Sequence, residues 1–275
     1  MPDFSPAEQM VVCMSRLVED GEVVAHGIAT PLVAGAIMLA KRTHAPEAYI
    51  ACAIGNTLTF RPSRLSLTDP ESGTLRGCLM SWGFADGACA ILPFHQPREF
   101  FRPAQVDAGG NFNNVCLGEW SRPRVRLPGC GGIADVTNHS PRIHLYVPRH
   151  TKDAFPERID FRSGIGFPLD PSVGPRWPGA TSPGPRCVIT DRCMMDFSGG
   201  RMRVVSLHRG QTLAEVRAHT GFALGALDPL PETLPPTAAE LRLLREEIDP
   251  DGLRDLELLG TRDRLFRIHS LLSRG

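Results

Sequence analysis

Residues 22–54 limit the possible folds more than any other stretch. Glu22 to Ala29 reads as a short strand. Thr30-Pro31 then opens a helix, with Pro at the first helical position, where its missing N–H costs nothing. From Leu32 to Ala40 that helix is small and apolar on every side, until Lys41 and Arg42 stop the run. A helix apolar all round has to be buried on several sides. Pro46 ends the connection, and Tyr49 to Ile54 is a second apolar strand. Strand, helix and strand within about 35 residues form a βαβ unit, whose crossover returns the second strand parallel to the first and right-handed. Parallel sheets need helices over their faces. The expected fold is therefore α/β, with a mainly parallel sheet flanked by helices.

The rest of the chain fits around this unit. Ser5-Pro6-Ala7-Glu8 is a capping box that starts an N-terminal helix, and Asp20-Gly21 is a turn. Phe100 to Val106 is a strand broken by Pro103, Gly109-Gly110-Asn111 a turn, and Arg142 to Val147 and Cys187 to Thr190 further strands. Gly164 to Pro185 is crowded with Gly and Pro and reads as a surface loop. Met194 to Phe197 and Met202 to Leu207 flank Ser198-Gly199-Gly200, a hairpin signal. Thr212-x-x-Glu215 and Thr237-x-x-Glu240 each cap a helix. Asp249-Pro250 breaks the last of these. The expected organisation is one domain over residues 1–250 and a charged, helical C-terminal tail over 251–275, which covers the domain or a partner or stands in solvent.

Composition excludes several function classes. Lys+Arg and Asp+Glu balance at 30 each, so no basic excess is present to neutralise nucleic-acid phosphates. No apolar run approaches the roughly 20 residues of a membrane helix. Met1-Pro2-Asp3-Phe4-Ser5 lacks the basic and apolar regions of a signal peptide. The eight cysteines form no C-x-x-C pair, which points to free thiols and a cytoplasmic setting. His139, His144 and His150 are too irregularly spaced for a metal site.

Residues 100–137 carry the most chemistry. Gln105 is a candidate substrate contact just before a glycine turn, and Asn111 and Asn113 either meet a substrate or hold the turn. Further on, Pro128-Gly129-Cys130-Gly131-Gly132 opens from a strand end. Glycines without Cβ let backbone N–H groups converge on an oxyanion; the other reading is a tight turn.

These segments, taken in order, resemble the β subunit of family I coenzyme A transferases, the group that includes glutaconate CoA-transferase. The resemblance begins at Arg16-Leu17-Val18-Glu19-Asp20-Gly21-Glu22-Val23-Val24 and continues through Ala40-Lys41-Arg42-Thr43-His44-Ala45-Pro46 and the middle segment. It resumes at Val204-Val205-Ser206-Leu207-His208 and ends near Ile248-Asp249-Pro250. It implies an open, CoA-transferase-like α/β fold, an α subunit sharing the active site, and an acyl-CoA substrate that carries coenzyme A in with it, with no permanent cofactor. It also places Gly129, Cys130, Gly131 and Gly132 near the thioester carbonyl.

One departure decides the chemistry. Family transferases carry a nucleophilic glutamate in a Glu-Ser-Gly or Glu-Asn-Gly turn after the second strand. Here that turn reads Cys52-Ala53-Ile54-Gly55, and Ala53 occupies the glutamate position. A methyl group cannot attack a thioester. Glu47 is six residues upstream, about 20 Å along an extended strand. Cys52 and Cys130 are alternative nucleophiles, each set against a packing role, and no His or Lys near Cys52 in sequence lowers its pKa. Asn56 either orients substrate or holds the turn. His26, just before a strand-to-helix turn, is either a ligand contact or a core histidine. Some relatives, the steroid-ring hydrolases among them, also lack the β-subunit glutamate and use a carboxylate of the α subunit. The resemblance therefore implies hydrolysis or carbon–carbon cleavage, with CoA transfer and a purely structural subunit as alternatives.

Overall fold

The computed structural model describes residues 3–27, 29–52, 56–69, 72–169 and 182–273. They divide into two compact units, Met1–Phe100 with Pro235–Gly275, and Phe101–Leu234.

In the first unit, α1 (Pro6–Ser15) starts at the expected box. Ser5 Oγ accepts from the Glu8 N–H at 3.3 Å, and Glu8 Oε2 accepts from the Ser5 N–H at 2.9 Å. β1 (Val23–His26) ends three residues short of the expected Ala29, because the chain turns through a left-handed Ala29 with φ 57°, which no strand residue adopts. α2 (Pro31–Arg42) buries Leu32, Val33, Ala36, Ile37 and Leu39 completely. Each large side chain so buried contributes roughly 1.5–3 kcal/mol relative to exposure. β2 (Tyr49–Cys52) returns parallel to β1, in register from Val23 opposite Tyr49 to His26 opposite Cys52. The βαβ unit is thus present, and its second strand is described as far as Cys52. β3 (Thr57–Thr59) and β4 (Cys78–Ser81) add antiparallel beyond β2, with β4 at the edge. β5 (Arg98–Phe101) lies on the other side of β1, parallel, with Ala25 opposite Glu99.

The residues after 250 belong to this unit. The Leu32 N–H donates to Glu257 at 2.9 Å, and Arg254 donates to Glu8 at 3.0 Å and to Asp249 at 2.9 Å. Contacts therefore run across position 250, although the helix Thr261–Leu272 buries no residue.

In the second unit, Pro103 interrupts the expected strand, leaving β6 (Gln105–Val106), which pairs with β7 (Phe112–Asn113). β8 (Cys116–Leu117) pairs with β9 (Val125–Arg126). β10 (Ile143–Val147) and β11 (Cys187–Thr190) are parallel. β12 (Cys193–Ser198) and β13 (Arg201–Leu207) form the expected hairpin. Both of its turn residues, Gly199 and Gly200, have positive φ (60° and 76°), the two-residue geometry that matches strand twist. β14 (Gly225–Ala226) ends the sheet, parallel to β13. The core gathers Phe112, Leu145, Phe155, Val188, Met195 and Val204. The α/β class holds, with parallel strands, flanking helices and antiparallel strands added to them. Much of the loop expected over 164–185 lies outside the described residues. No helix among the described residues is long and apolar enough to cross a membrane.

Candidate functional site

Each unit contributes one set of candidate residues. In the first, parallel pairing sets His26 beside Cys52 at the C-terminal ends of β1 and β2, the edge at which open α/β sheets bind ligands. Both residues are buried. His26 Nδ1 lies 3.0 Å from the Gly27 carbonyl and 3.3 Å from Thr30 Oγ1, and burial pushes the imidazole pKa down to about 4. The ring is therefore neutral near pH 7 and supplies no charge to lower a thiol pKa. Two residues near these strand ends, Ala29 and Asn56 (φ 48°), hold left-handed backbone without being glycine. Such strain, of order 1–3 kcal/mol per residue, collects at functional sites. The Asn56 carbonyl accepts from the Trp82 N–H at 3.1 Å. Ala53 itself lies outside the described residues.

Glu99 is a group that sequence reasoning missed. Register places it in one row with Ala25 and Ala51, so these three side chains share a sheet face. Its Oε2 is sealed from solvent and meets no donor among the described residues, and burial raises the carboxyl pKa from 4.5 to about 7. The folded chain then holds a proton that the unfolded chain releases above 4.5. Stability from this group is complete below the unfolded value and is lost as pH rises through about 7, a total on the order of 3 kcal/mol. Glu99→Gln, neutral at every pH, should remove this loss. Urea unfolding at about pH 5 and about pH 8 should show the variant gaining on the parent at the higher pH, and equal slopes would contradict the assignment.

In the second unit, Gln105 and Asn111 prove to be tied down. Gln105 Oε1 accepts from Asn113 Nδ2 at 2.8 Å and from the Asp160 N–H at 3.0 Å, while its Nε2 donates to Asp160. Asn111 Nδ2 donates to both Asp107 oxygens and to the Phe167 carbonyl, and its Oδ1 accepts from the Gly166 N–H at 2.9 Å. A Cβ on Gly166 would lie 2.2 Å from the Gly109 carbonyl oxygen, so two backbones touch here. Asn111 thus ties the turn at 107–111 together, and Gln105 is held by Asn113 and Asp160.

The glycine loop is built differently. The Gly129 N–H donates to the Asn114 carbonyl at 2.9 Å, and the Ile133 N–H closes back on the Cys130 carbonyl at 3.0 Å. Between these anchors, the N–H groups of Cys130, Gly131 and Gly132 meet no acceptor among the described residues. Gly129 and Gly132 have φ of 113° and 76°, values that favour glycine. A Cβ at Gly129, Gly131 or Gly132 meets nothing within 4 Å. The loop can therefore present backbone donors to an anion or a polarised carbonyl. Cys130 is half-buried in this loop. Among the described residues, no group of three His, Cys, Asp or Glu side chains is placed to hold a metal.

The chain is 30% identical to the β (B) chain of the 3-oxoadipate CoA-transferase of Pseudomonas knackmussii over 264 residues, 89% of this chain and 94% of the relative. It belongs to the family I coenzyme A transferases, on their β-subunit side. The cholesterol ring-cleaving hydrolase IpdB subunit of Mycobacterium tuberculosis is 33% identical over 239 residues, 82% of this chain and 92% of that relative. Among solved structures, a variant of the decarboxylase AibA/AibB superposes with a TM-score of 0.77 at 30% identity, covering 94% of this chain and all of that one. No protein-family model matches the chain. The family-wide likeness thus spans proteins named for transfer, hydrolysis and decarboxylation.

Proposed function

We propose that this chain is the β half of a two-subunit enzyme that cleaves an acyl-CoA thioester substrate, by hydrolysis or carbon–carbon bond breaking, with the catalytic carboxylate on an α-type partner. The observation that carries the reading is Ala53. A transferase must hold CoA covalently while one acid leaves and another enters, and the carboxylate that does so in the family is a methyl group here. The glycine loop supports the same reading, since free N–H groups at Cys130, Gly131 and Gly132 suit an oxyanion that develops on a thioester or keto carbonyl. Of the residues first considered for substrate contact, Gly129, Cys130, Gly131, Gly132 and Asn56 keep that role in the proposal. Coenzyme A enters as part of the substrate, and the free cysteines suit a reducing, cytoplasmic setting.

The relative named as a 3-oxoadipate CoA-transferase favours transfer as a second reading. Product analysis separates the two. The reconstituted pair, given a set of short acyl-CoA and 3-oxoacyl-CoA thioesters, should turn them over without any added acceptor acid, either to a free acid and CoA or to a cleaved product that keeps its thioester. Turnover that depends wholly on an acceptor such as acetate, with acetyl-CoA formed, would establish transfer instead.

A further inference from the structure

Residues 77–95 have the composition of an interior, yet most of those whose burial is described are exposed. Their 19 residues include one carboxylate, Asp86, and no Lys or Arg, in a chain that is 22% charged. From Leu79 to Asp86 every residue except Trp82 is exposed. Leu79 is 61%, Phe84 73% and Phe94 84% exposed. The free thiol of Cys89 is exposed as well. Within the same stretch β4 is an edge strand, with a row of backbone groups open to pairing. Soluble chains blunt such edges with charge or cover them, and an apolar patch of this kind marks an interaction surface.

We propose that residues 77–95 form the docking surface for the α-type subunit. This rests on the two-subunit reading above and adds where the partner sits. The surface is continuous with the strand ends described above. Cys52 pairs with Thr57, and Thr57 with Ser81, so one row of residues runs from the end of β2 to the edge strand. The Trp82 N–H also holds the carbonyl of the strained Asn56. Two strand spacings amount to about 10 Å. A chain seated on β4 therefore brings its side chains close to the strand ends where the family glutamate is missing. That is where a partner-borne carboxylate is needed.

The test uses the full chain and the α-type subunit that copurifies with it, identified as a family α chain by mass spectrometry. Hydrogen exchange should slow over 77–95 in the complex. Phe84→Asp, at an exposed position, should leave the melting temperature of the chain unchanged and weaken the complex about 100-fold, as a central aromatic contact does. Phe266→Asp on the helix Thr261–Leu272, where Phe266 is 77% exposed, is the control and should leave the complex intact. A complex that survives Phe84→Asp with 77–95 unprotected would overturn the surface but leave the two-subunit reading standing. A homodimer of this chain dissolved by Phe84→Asp, with the αβ complex unaffected, would also overturn it. Failure of the parent chain to bind any α-type subunit would instead remove the two-subunit reading itself.

Discussion

Glu8→Ala should destabilise the protein by about 3–5 kcal/mol, the usual cost of removing one partner from a buried ion pair. The Glu8 side chain is 3% exposed and receives three guanidinium contacts. Arg245 donates through Nε at 2.7 Å and through Nη2 at 2.8 Å, and Arg254 through Nη2 at 3.0 Å. Burial alone would raise the carboxyl pKa; the hydrogen bond from Arg245, the Ser5 N–H and the charges of both arginines carry it below the ordinary value. The same carboxylate completes the capping box of α1. Its loss therefore leaves Arg254, itself buried, with one ion pair fewer beside Asp249, and it also weakens a helix start worth roughly 1 kcal/mol. The change should appear as a shifted urea midpoint. Arg245→Ala is the useful contrast, because Arg245 is nearly half exposed, and it should cost much less. Equal losses for the two variants would mean that burial does not set the energy here.

The second large effect belongs to the glycine loop. Gly131→Val should lower kcat/KM of the reconstituted pair about 10²–10³-fold, in the range seen when an oxyanion donor is lost, with the melting temperature nearly unchanged. The separation is possible because Gly131 is exposed, does not hold positive φ, and leaves open space around a Cβ. Nothing in the fold objects to the new side chain, so any loss reports what approaches the N–H groups of 130–132. Gly132 is the poorer probe, since its φ of 76° strains any β-branched residue and mixes folding with function. Val at 131 with full turnover and a normal melt would remove the loop from the mechanism.

Local signals in the sequence carried most of the fold. The apolar run of α2 dictates a covered parallel crossover. Ser5 with Glu8, Thr212 with Glu215, and Gly199-Gly200 are all contained within four residues, and each appears in the structure where the chain places it. Long-range pairings were not legible. Glu8 meets Arg245 and Arg254 more than 230 residues away, so a residue read as a helix cap turns out also to anchor the C-terminal segment. His26 and Cys52 look unrelated in sequence because the length of the crossover, not any local motif, sets their register. Gln105 reads as a substrate contact from sequence, and Asn111 as a substrate contact or, better, a turn residue. Their Asp107, Asn113, Asp160 and Phe167 partners are mostly ones that only the fold brings together. Glu99 sits beside a strand read as starting at Phe100, and only the pairing with β1 shows its carboxyl to be buried.

Trapping the covalent state tests the central claim most directly. The reconstituted pair would be incubated with an acyl-CoA that it turns over, treated with borohydride or hydroxylamine, and this chain examined by mass spectrometry. The absence of a carboxylate at Ala53 predicts product formed without an acceptor acid, and no adduct or reduced glutamate anywhere on this chain. Ala53→Glu alone should not create an efficient transferase, because a carboxylate misplaced by about 1 Å costs roughly 10²-fold. A glutamyl-CoA adduct on this chain, or acetate-dependent exchange lost on changing one of its own carboxylates, would contradict the account.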